Sequence, residues 1–128
     1  MGARVLLVED DPDLRDVLAR ALEEEGYEVT PSDNGVDALV RLEFGRRPDV
    51  VVLDLLIPSV SGADLIELIR HDPRVATMPV VVITGAFVPA EVARAASAVL
   101  PKPFGLEQLC ETLDALTSSD SSFSQLRR

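Results

Sequence analysis

The sequence predicts a single α/β domain built on a doubly wound parallel sheet of five strands, with helices on both faces. Two observations predict it. Short apolar runs alternate five times with longer segments whose apolar residues recur at helical spacing. Most of these runs are continuously apolar and do not alternate apolar with polar residues as a strand with one solvent-exposed face would. Continuous apolar runs are expected where helices cover both faces of the sheet. The length of 128 residues and a hydrophobic content of 47% suit one domain with a substantial core.

Four of the five predicted strands are runs rich in Val, Leu and Ile, and the second is a short strand that begins at Tyr27. The five strands lie at residues 5–8, 27–30, 50–53, 79–84 and 98–100. A turn is expected at residues 31–34, where Pro, Ser, Asp and Asn follow the second run. For five parallel strands joined by helices, the flavodoxin-like order 2-1-3-4-5 is the leading candidate.

Capping residues set the helix boundaries. Asp11 and Pro12 predict the start of the first helix, because Asp accepts hydrogen bonds from the free N–H groups of a first turn and Pro fits there. Further starts are expected at Asp33 or Asn34, at Ser61 and at Pro89, and ends at Gly26 and Gly45. The last helix carries leucines at 106, 109, 113 and 116, with Cys110 as a core filler on the same face. Residues 1–117 are thus expected to form the domain, and the Ser-rich residues 118–128 a frayed tail or the start of a linker.

Charge and composition exclude several classes of function. The net charge of −10 argues against direct binding of nucleic acid or of an anionic membrane by bulk charge. No apolar run approaches the ~18 residues of a membrane span. The first residues lack the apolar region of a signal peptide, and the lone Cys110 cannot form an internal disulfide. We therefore expect a cytoplasmic location.

Polar side chains stand where the predicted strands end. These are Glu9, Asp10 and Asp11 after strand one, Asp54 after strand three, Thr84 at the end of strand four and Lys102 after strand five. In the order 2-1-3-4-5 these four strands are neighbours, and ligands bind outside their carboxyl ends. The six side chains are therefore expected to converge on one pocket.

This set of side chains predicts phosphoryl chemistry with a divalent cation. Carboxylates held close together need a counter-charge, and Mg²⁺ binds one or two carboxylates together with water. A hydroxyl and a lysine suit phosphoryl oxygens. A carboxylate can itself be the nucleophile and form an aspartyl phosphate.

With these residues the chain resembles the receiver domains of bacterial two-component response regulators, which include chemotaxis regulators, over about residues 4–117. The matching stretches are Leu7–Pro12, Val52–Pro58, Gly62, Val82–Gly85 and Lys102–Phe104. The resemblance implies a phosphorylation-dependent signalling switch and not a classical enzyme. Such a switch catalyses only its own phosphorylation and slow dephosphorylation. The implied partner is a sensor histidine kinase, or a phosphotransfer protein, that donates from a phosphohistidine. The output partner stays unnamed, and a monomer or weak homodimer is expected.

The resemblance also implies a role for each site residue. Asp54 would be the phosphoacceptor, Thr84 the switch hydroxyl and Lys102 the cation, with a cis peptide bond before Pro103. The Mg²⁺ ligands would be Asp10 directly, Glu9 partly through water, Asp54, and the backbone carbonyl of Leu56. Because the Leu56 side chain is apolar and cannot orient water, we expect dephosphorylation that is not especially fast.

Three features depart from the family pattern. Gly85 is smaller than the usual residue. Val99 stands where many receivers carry an aromatic ring. Thr84 and Lys102 are only 18 positions apart, which predicts a shortened fourth-helix region. Both Val99 and the short region fall on the face that receivers commonly use for output.

Three other functions can be weighed against these residues. A phosphatase of the haloacid dehalogenase type needs a second Asp two residues after the nucleophile, where this chain has Leu56. A flavodoxin-type FMN module needs phosphate-binding donors in its first loop, where Glu9 and its two acidic neighbours would repel phosphate. A pseudo-receiver that works without phosphorylation stays open, because of Val99 and the short fourth-helix region. The only histidine, His71, is expected to be exposed and uninvolved.

Overall fold

In the computed structural model, which describes residues 2–118, strands and helices alternate five times. The strands are β1 (Arg4–Val8), β2 (Glu28–Ser32), β3 (Val50–Leu53), β4 (Val80–Thr84) and β5 (Ala98–Pro101). The helices are α1 (Pro12–Glu24), α2 (Gly35–Phe44), α3 (Gly62–His71), α4 (Ala90–Ala95) and α5 (Leu106–Thr117). Apart from Ser118, the predicted tail lies outside the described residues. Within residues 2–118, no helix combines the length and the apolar character needed to cross a membrane.

The strands form one parallel sheet in the order β2-β1-β3-β4-β5, which confirms the predicted fold and topology. Every residue of β3 and β4 is buried. Alternate side chains of β1, β3, β4 and β5 enter two separate apolar clusters, and β2 contributes Val29 to one of them. One cluster lies under α2, α3 and α4, and the other under α1 and α5. Burial on both faces explains why these strands have continuous apolar sequences.

The second strand differs from the prediction at both ends. Tyr27 precedes β2, because its N–H donates to the Leu22 carbonyl at 3.0 Å and so closes the end of α1. The strand then continues through Pro31 and Ser32, where a turn was expected. Pro31 is tolerated because β2 is an edge strand, whose outer side needs no donor. The expectation of a turn at 31–32 is therefore wrong, and the chain turns at 33–34.

Predicted capping residues begin the helices. The Asp11 carboxylate accepts from the N–H groups of Asp13 and Leu14 at 3.0 and 3.4 Å. Asn34 and Ser61 cap α2 and α3 in the same way. Gly26 has a φ of 99°, which favours glycine at the residue after a helix.

An arginine fastens the end of the short fourth helix, in addition to the buried Val92. Helix α4 has six residues, whereas α1 has 13. The half-buried Arg70 guanidinium on α3 donates to the carbonyl of Ala95, the last residue of α4, at 2.9 Å. It also donates to the carbonyls of Ala76 and Met78 at 3.1 and 2.7 Å. Burial lowers the pKa of Arg70. Its three contacts fasten the end of α4 to α3 and to the segment before β4.

We expect Arg70→Met to lower the free energy of unfolding by about 2–3 kcal/mol, because three backbone carbonyls lose a charged donor. Chemical denaturation measures this loss. Arg94→Met is the matched control, since Arg94 on α4 is exposed and has no hydrogen bond or ion pair within residues 2–118. Equal losses in the two variants would contradict the role given to Arg70.

Candidate functional site

Three charged side chains meet at the carboxyl ends of β1, β3 and β5. The Lys102 Nζ lies 2.6 Å from Asp54 Oδ2 and 3.0 Å from Glu9 Oε1. The Glu9 side chain is 1% exposed, that of Asp54 8% and that of Lys102 26%. One ammonium group therefore bridges two buried carboxylates.

The bridge raises the pKa of Lys102. Burial alone would lower the pKa, because it disfavours the charged form. The hydrogen bonds to Asp54 and Glu9, and the charges of these two carboxylates, outweigh that effect.

Lys102 is also the only lysine in the chain, and the other 11 basic residues are arginines.

The backbone around Asp54 fixes its position tightly. Its N–H donates to the Val8 carbonyl at 3.1 Å, which ties it to β1. Its Oδ1 accepts from the Leu56 N–H at 3.0 Å. Gly62 lies against the backbone of this segment, since a Cβ at that position would stand 2.5 Å from the Asp54 carbonyl oxygen. Any side chain at Gly62 would therefore displace the segment that carries Asp54.

Glu9 is held by contacts on its backbone and its carboxylate. Its N–H donates to the Ser32 carbonyl at 3.0 Å, and its Oε2 accepts from the Asp11 N–H at 3.1 Å. Arg15 on α1 donates from Nη1 to the Glu9 carbonyl at 2.8 Å. Sequence reasoning missed Arg15. The signal was a basic residue in the first turns of a helix that begins with acids.

Backbone contacts join the ends of β4 and β5. The Lys102 N–H donates to the Thr84 carbonyl at 2.8 Å, and the Lys102–Pro103 peptide bond is cis, as predicted. Thr84 is 1% exposed, and its Oγ1 accepts from the Ala86 N–H at 3.1 Å. No acceptor for the hydroxyl proton of Thr84 is found within residues 2–118. The structure thus places Thr84 beside Lys102 through the backbone, without a contact between their side chains.

Asp10 stands apart from this bridge. It is exposed, and in the described part of the chain its carboxylate has no hydrogen bond or ion pair. Likewise, no group of three His, Cys, Asp or Glu residues in that part is assembled as a metal site. Glu9 and Asp54 both contact Lys102, whereas Asp10 does not, so the described residues do not gather the predicted ligands around one point.

The residues nonetheless suit a hard divalent cation. Two buried carboxylates share one ammonium, which leaves negative charge uncompensated. Asp10, next to Glu9 in sequence, adds a carboxylate that has no partner among residues 2–118. All the donors are oxygens, which Mg²⁺ prefers, and Mg²⁺ needs few of them because it keeps several waters. The Leu56 side chain is 67% exposed. His71 is also exposed, as predicted from the sequence.

The single lysine allows the bridge to be tested directly. We expect ¹³C-lysine NMR to show one side-chain signal whose titration midpoint in the folded protein lies above that in urea. A raised pKa means that the charged lysine stabilises the fold fully below the unfolded value of about 10.5, and that this is lost as pH rises through the folded value. Asp54→Asn should lower the midpoint and Asp16→Asn, on the exposed side of α1, should not. Equal midpoints in the folded and unfolded protein would contradict the bridge.

Comparison with known proteins gives consistent matches along nearly the whole chain. A family model described as the response regulator receiver domain matches residues 5–114. A probable transcriptional regulatory protein of Picosynechococcus sp. is 38% identical over 126 residues, covering 89% of this chain and 49% of that protein. The response regulator MprA of Mycobacterium sp. is 36% identical over 120 residues, covering 91% and 51%. The chain thus spans about half the length of these curated relatives.

Solved structures show the same fold. The chemotaxis response regulator CheY4 of Vibrio cholerae superimposes with a TM-score of 0.82 at 28% identity, covering 91% of this chain and 99% of that one. TrrA of Thermotoga maritima, solved in complex with Mg²⁺-BeF, gives 0.81 at 30% identity, with 91% and 99% covered. The receiver domain of a Pseudomonas aeruginosa sensor histidine kinase, solved with magnesium in its active-site cleft, gives 0.83 at 27%, with 93% and 100% covered. Together with the family match over residues 5–114, these results show that the chain belongs to the response regulator receiver domain family, the signalling domains of two-component systems.

Proposed function

We propose that this chain is a phosphorylation-dependent switch of a two-component or phosphorelay system. In this proposal Asp54 accepts a phosphoryl group from a phosphohistidine of a sensor histidine kinase or a phosphotransfer protein. The observation that best supports this proposal is the position of the Lys102 ammonium, which lies 2.6 Å from Asp54 and 3.0 Å from Glu9. Ligands bind at this edge of such sheets. A carboxylate beside a fixed cation is suited to attack phosphorus, since phosphoryl transfer depends mainly on position and charge.

The transfer exchanges one bond to phosphorus for another. An oxygen of Asp54 forms the new P–O bond while the P–N bond to the donor imidazole breaks, and the electron pair of that bond stays with the imidazole. Lys102, already in contact with Asp54, is placed to donate to an oxygen of the arriving group. The hydroxyl of Thr84 has a proton free to donate to another such oxygen. The hydrogen bonds from both donors become stronger as negative charge develops on these oxygens.

The residues that would hold Mg²⁺ are Asp10, Asp54, the Leu56 carbonyl and, in part through water, Glu9. When bound, the ion supplies positive charge that offsets the charge of the phosphoryl oxygens and of the clustered carboxylates. Two structural relatives, TrrA and the Pseudomonas aeruginosa receiver domain, were solved with magnesium, which supports the same cofactor for this chain.

Thr84 offers a route from the site to the surface. Its Oγ1 accepts from the Ala86 N–H, so the hydroxyl is linked to the loop that leads into α4. We infer that engagement of this hydroxyl by the phosphoryl group shifts the population of conformers of that loop. The altered loop would present a different surface to a downstream partner.

An apolar cleft beside Lys102 fits a docking phosphodonor protein. The cleft has a volume of about 490 Å³ and lies between α1 and the start of α5. Val17 and Leu106, which line it, are 54% and 41% exposed. An apolar surface next to the reacting group suits a protein donor better than a small molecule alone.

The setting of this switch is also a proposal. A cytoplasmic bacterial domain fits the relatives, and the net charge of −10 fits one that contacts neither nucleic acid nor membrane itself. A monomer or weak homodimer is proposed. Because relatives are about twice as long, the output partner could be a further domain or a separate protein.

Incubation with Mg²⁺ and acetyl phosphate or phosphoramidate should add one phosphoryl group, about 80 Da by intact mass. Asp54→Asn and samples treated with EDTA should gain nothing, because the nucleophile or the charge that assists it is missing. Asp16→Asn, which removes an exposed acid of α1, should react like the parent chain. No adduct from either donor despite measurable Mg²⁺ binding would sink the proposal and favour a pseudo-receiver.

The exposed Leu56 side chain should govern how long the phosphoryl group persists. We expect Leu56→Asn to speed dephosphorylation by roughly tenfold, because an amide can orient the attacking water. The decay of the adduct by intact mass measures the rate. Leu68→Asn, an exposed leucine of α3, is the control. An unchanged lifetime in Leu56→Asn would contradict the role of this position.

A further inference from the structure

A second cleft lies at the opposite edge of the sheet from Asp54. It is formed by the starts of β1 and β2 and by the chain that leaves α2, and its volume is about 220 Å³. Three arginines line it, Arg4, Arg41 and Arg46, together with Thr30 and one acid, Glu28. Arginine is thus concentrated here in a chain whose net charge is −10.

The acids nearby do not satisfy all three guanidinium groups. Arg41 is paired, since its Nε lies 2.8 Å from Asp37 on the same helix. Arg4 Nε is 3.7 Å from Glu28 Oε1, which is too far for a hydrogen bond. Arg46 has neither a hydrogen bond nor an ion pair within residues 2–118. Asp49 is a third acid at this end of the sheet, since its Oδ2 accepts from the Arg4 backbone N–H at 2.7 Å. The three arginines therefore face an equal number of acids, but the side chains of Arg4 and Arg46 keep donor groups to spare.

The Nε–H of Arg4 is the clearest sign of a missing ligand. This atom is buried and has no hydrogen-bond partner within the described residues. Buried polar atoms in folded proteins nearly always have a partner, so an orphaned donor calls for an explanation. Because the atom is buried, an acceptor oxygen in the cleft would supply one only after the Arg4 side chain turns toward the cleft and away from Glu28, 3.7 Å distant.

A purely structural explanation covers only part of this arrangement. Cations are favoured near the carbonyl end of a helix, which accounts for Arg41 in the last turn of α2 and for Arg46 just beyond it. It does not account for Arg4, which comes from β1, or for the orphaned donor on its side chain.

We propose that this cleft binds a small oxyanion of the phosphate or carboxylate class. Arg4 and Arg46 supply the charged donors, since guanidinium groups match the oxygens of both anions. Thr30 offers a hydroxyl, and Arg41 adds positive charge. Glu28 opposes the anion, so it should limit the affinity. The site is separate from the proposed phosphoacceptor and does not depend on it.

The test is a titration of the ¹⁵N-labelled full chain with sodium phosphate in EDTA, followed by NMR. Parallel titrations use succinate, as the carboxylate form, and NaCl at matched ionic strength. We expect saturable amide shifts at Thr30, Gly45 and Arg46 with phosphate or succinate, and none that saturate with NaCl. Whichever of the two binds more tightly identifies the preferred anion.

Three variants make the outcome decisive. Arg46→Ala should weaken binding about tenfold through the loss of one charged donor, and Glu28→Gln should tighten it. Arg94→Ala should leave the affinity unchanged, because this arginine of α4 is exposed and its side chain has no partner in the described part of the chain. Shifts that NaCl reproduces, or equal weakening by Arg94→Ala, would overturn the proposal. So would saturable shifts that appear only around Asp54.

Discussion

The ammonium of Lys102 between Asp54 and Glu9 is the interaction on which the rest of the site depends. Two carboxylates that are almost fully buried would repel each other and lose hydration, and one cation within 3.0 Å of both offsets that cost. The parallel sheet makes the arrangement possible, because it ends β1, β3 and β5 at the same edge. The lysine is distant in sequence from both carboxylates, 93 residues from Glu9 and 48 from Asp54. The site therefore exists only when the whole sheet is formed.

The choice of lysine at this position has a physical reason. The chain uses arginine at every other Lys or Arg position, so lysine is not a matter of general composition. An ammonium is a compact charge on a flexible stem, whereas a guanidinium is a broad planar fork that fixes its partners in one plane. In the proposed transfer, the group that contacts Asp54 at first contacts a phosphoryl oxygen later, so it must move between partners. Lys102 can do so by rotating about its stem.

The parts that sequence reasoning predicted are those governed by local rules. Continuous apolar runs predicted β3 and β4, and capping side chains predicted the starts at Asp11 and Ser61, because burial and capping leave direct traces in composition. The continuation of β2 through Pro31 was missed, because only the topology shows that this strand lies at an edge. Arg15 was missed because its acceptor is a backbone carbonyl, so its position early in α1 was the one signal and did not identify the partner. The separation of Asp10 from the bridge was also not foreseen, since it depends on which acids Lys102 engages.

The short fourth helix restricts where a signal can leave the site. Its last residue, Ala95, is held by Arg70, and Val92 is buried in the core beneath it. Val99 on β5 is also packed against that core and brings no aromatic ring that could swing. In the segment between Thr84 and α4, Val88 packs against the same core, but Phe87 is 86% exposed. Because the Ala86 N–H donates to the Thr84 hydroxyl, this segment is the part of the face that would respond most directly to the phosphoryl transfer proposed at Asp54.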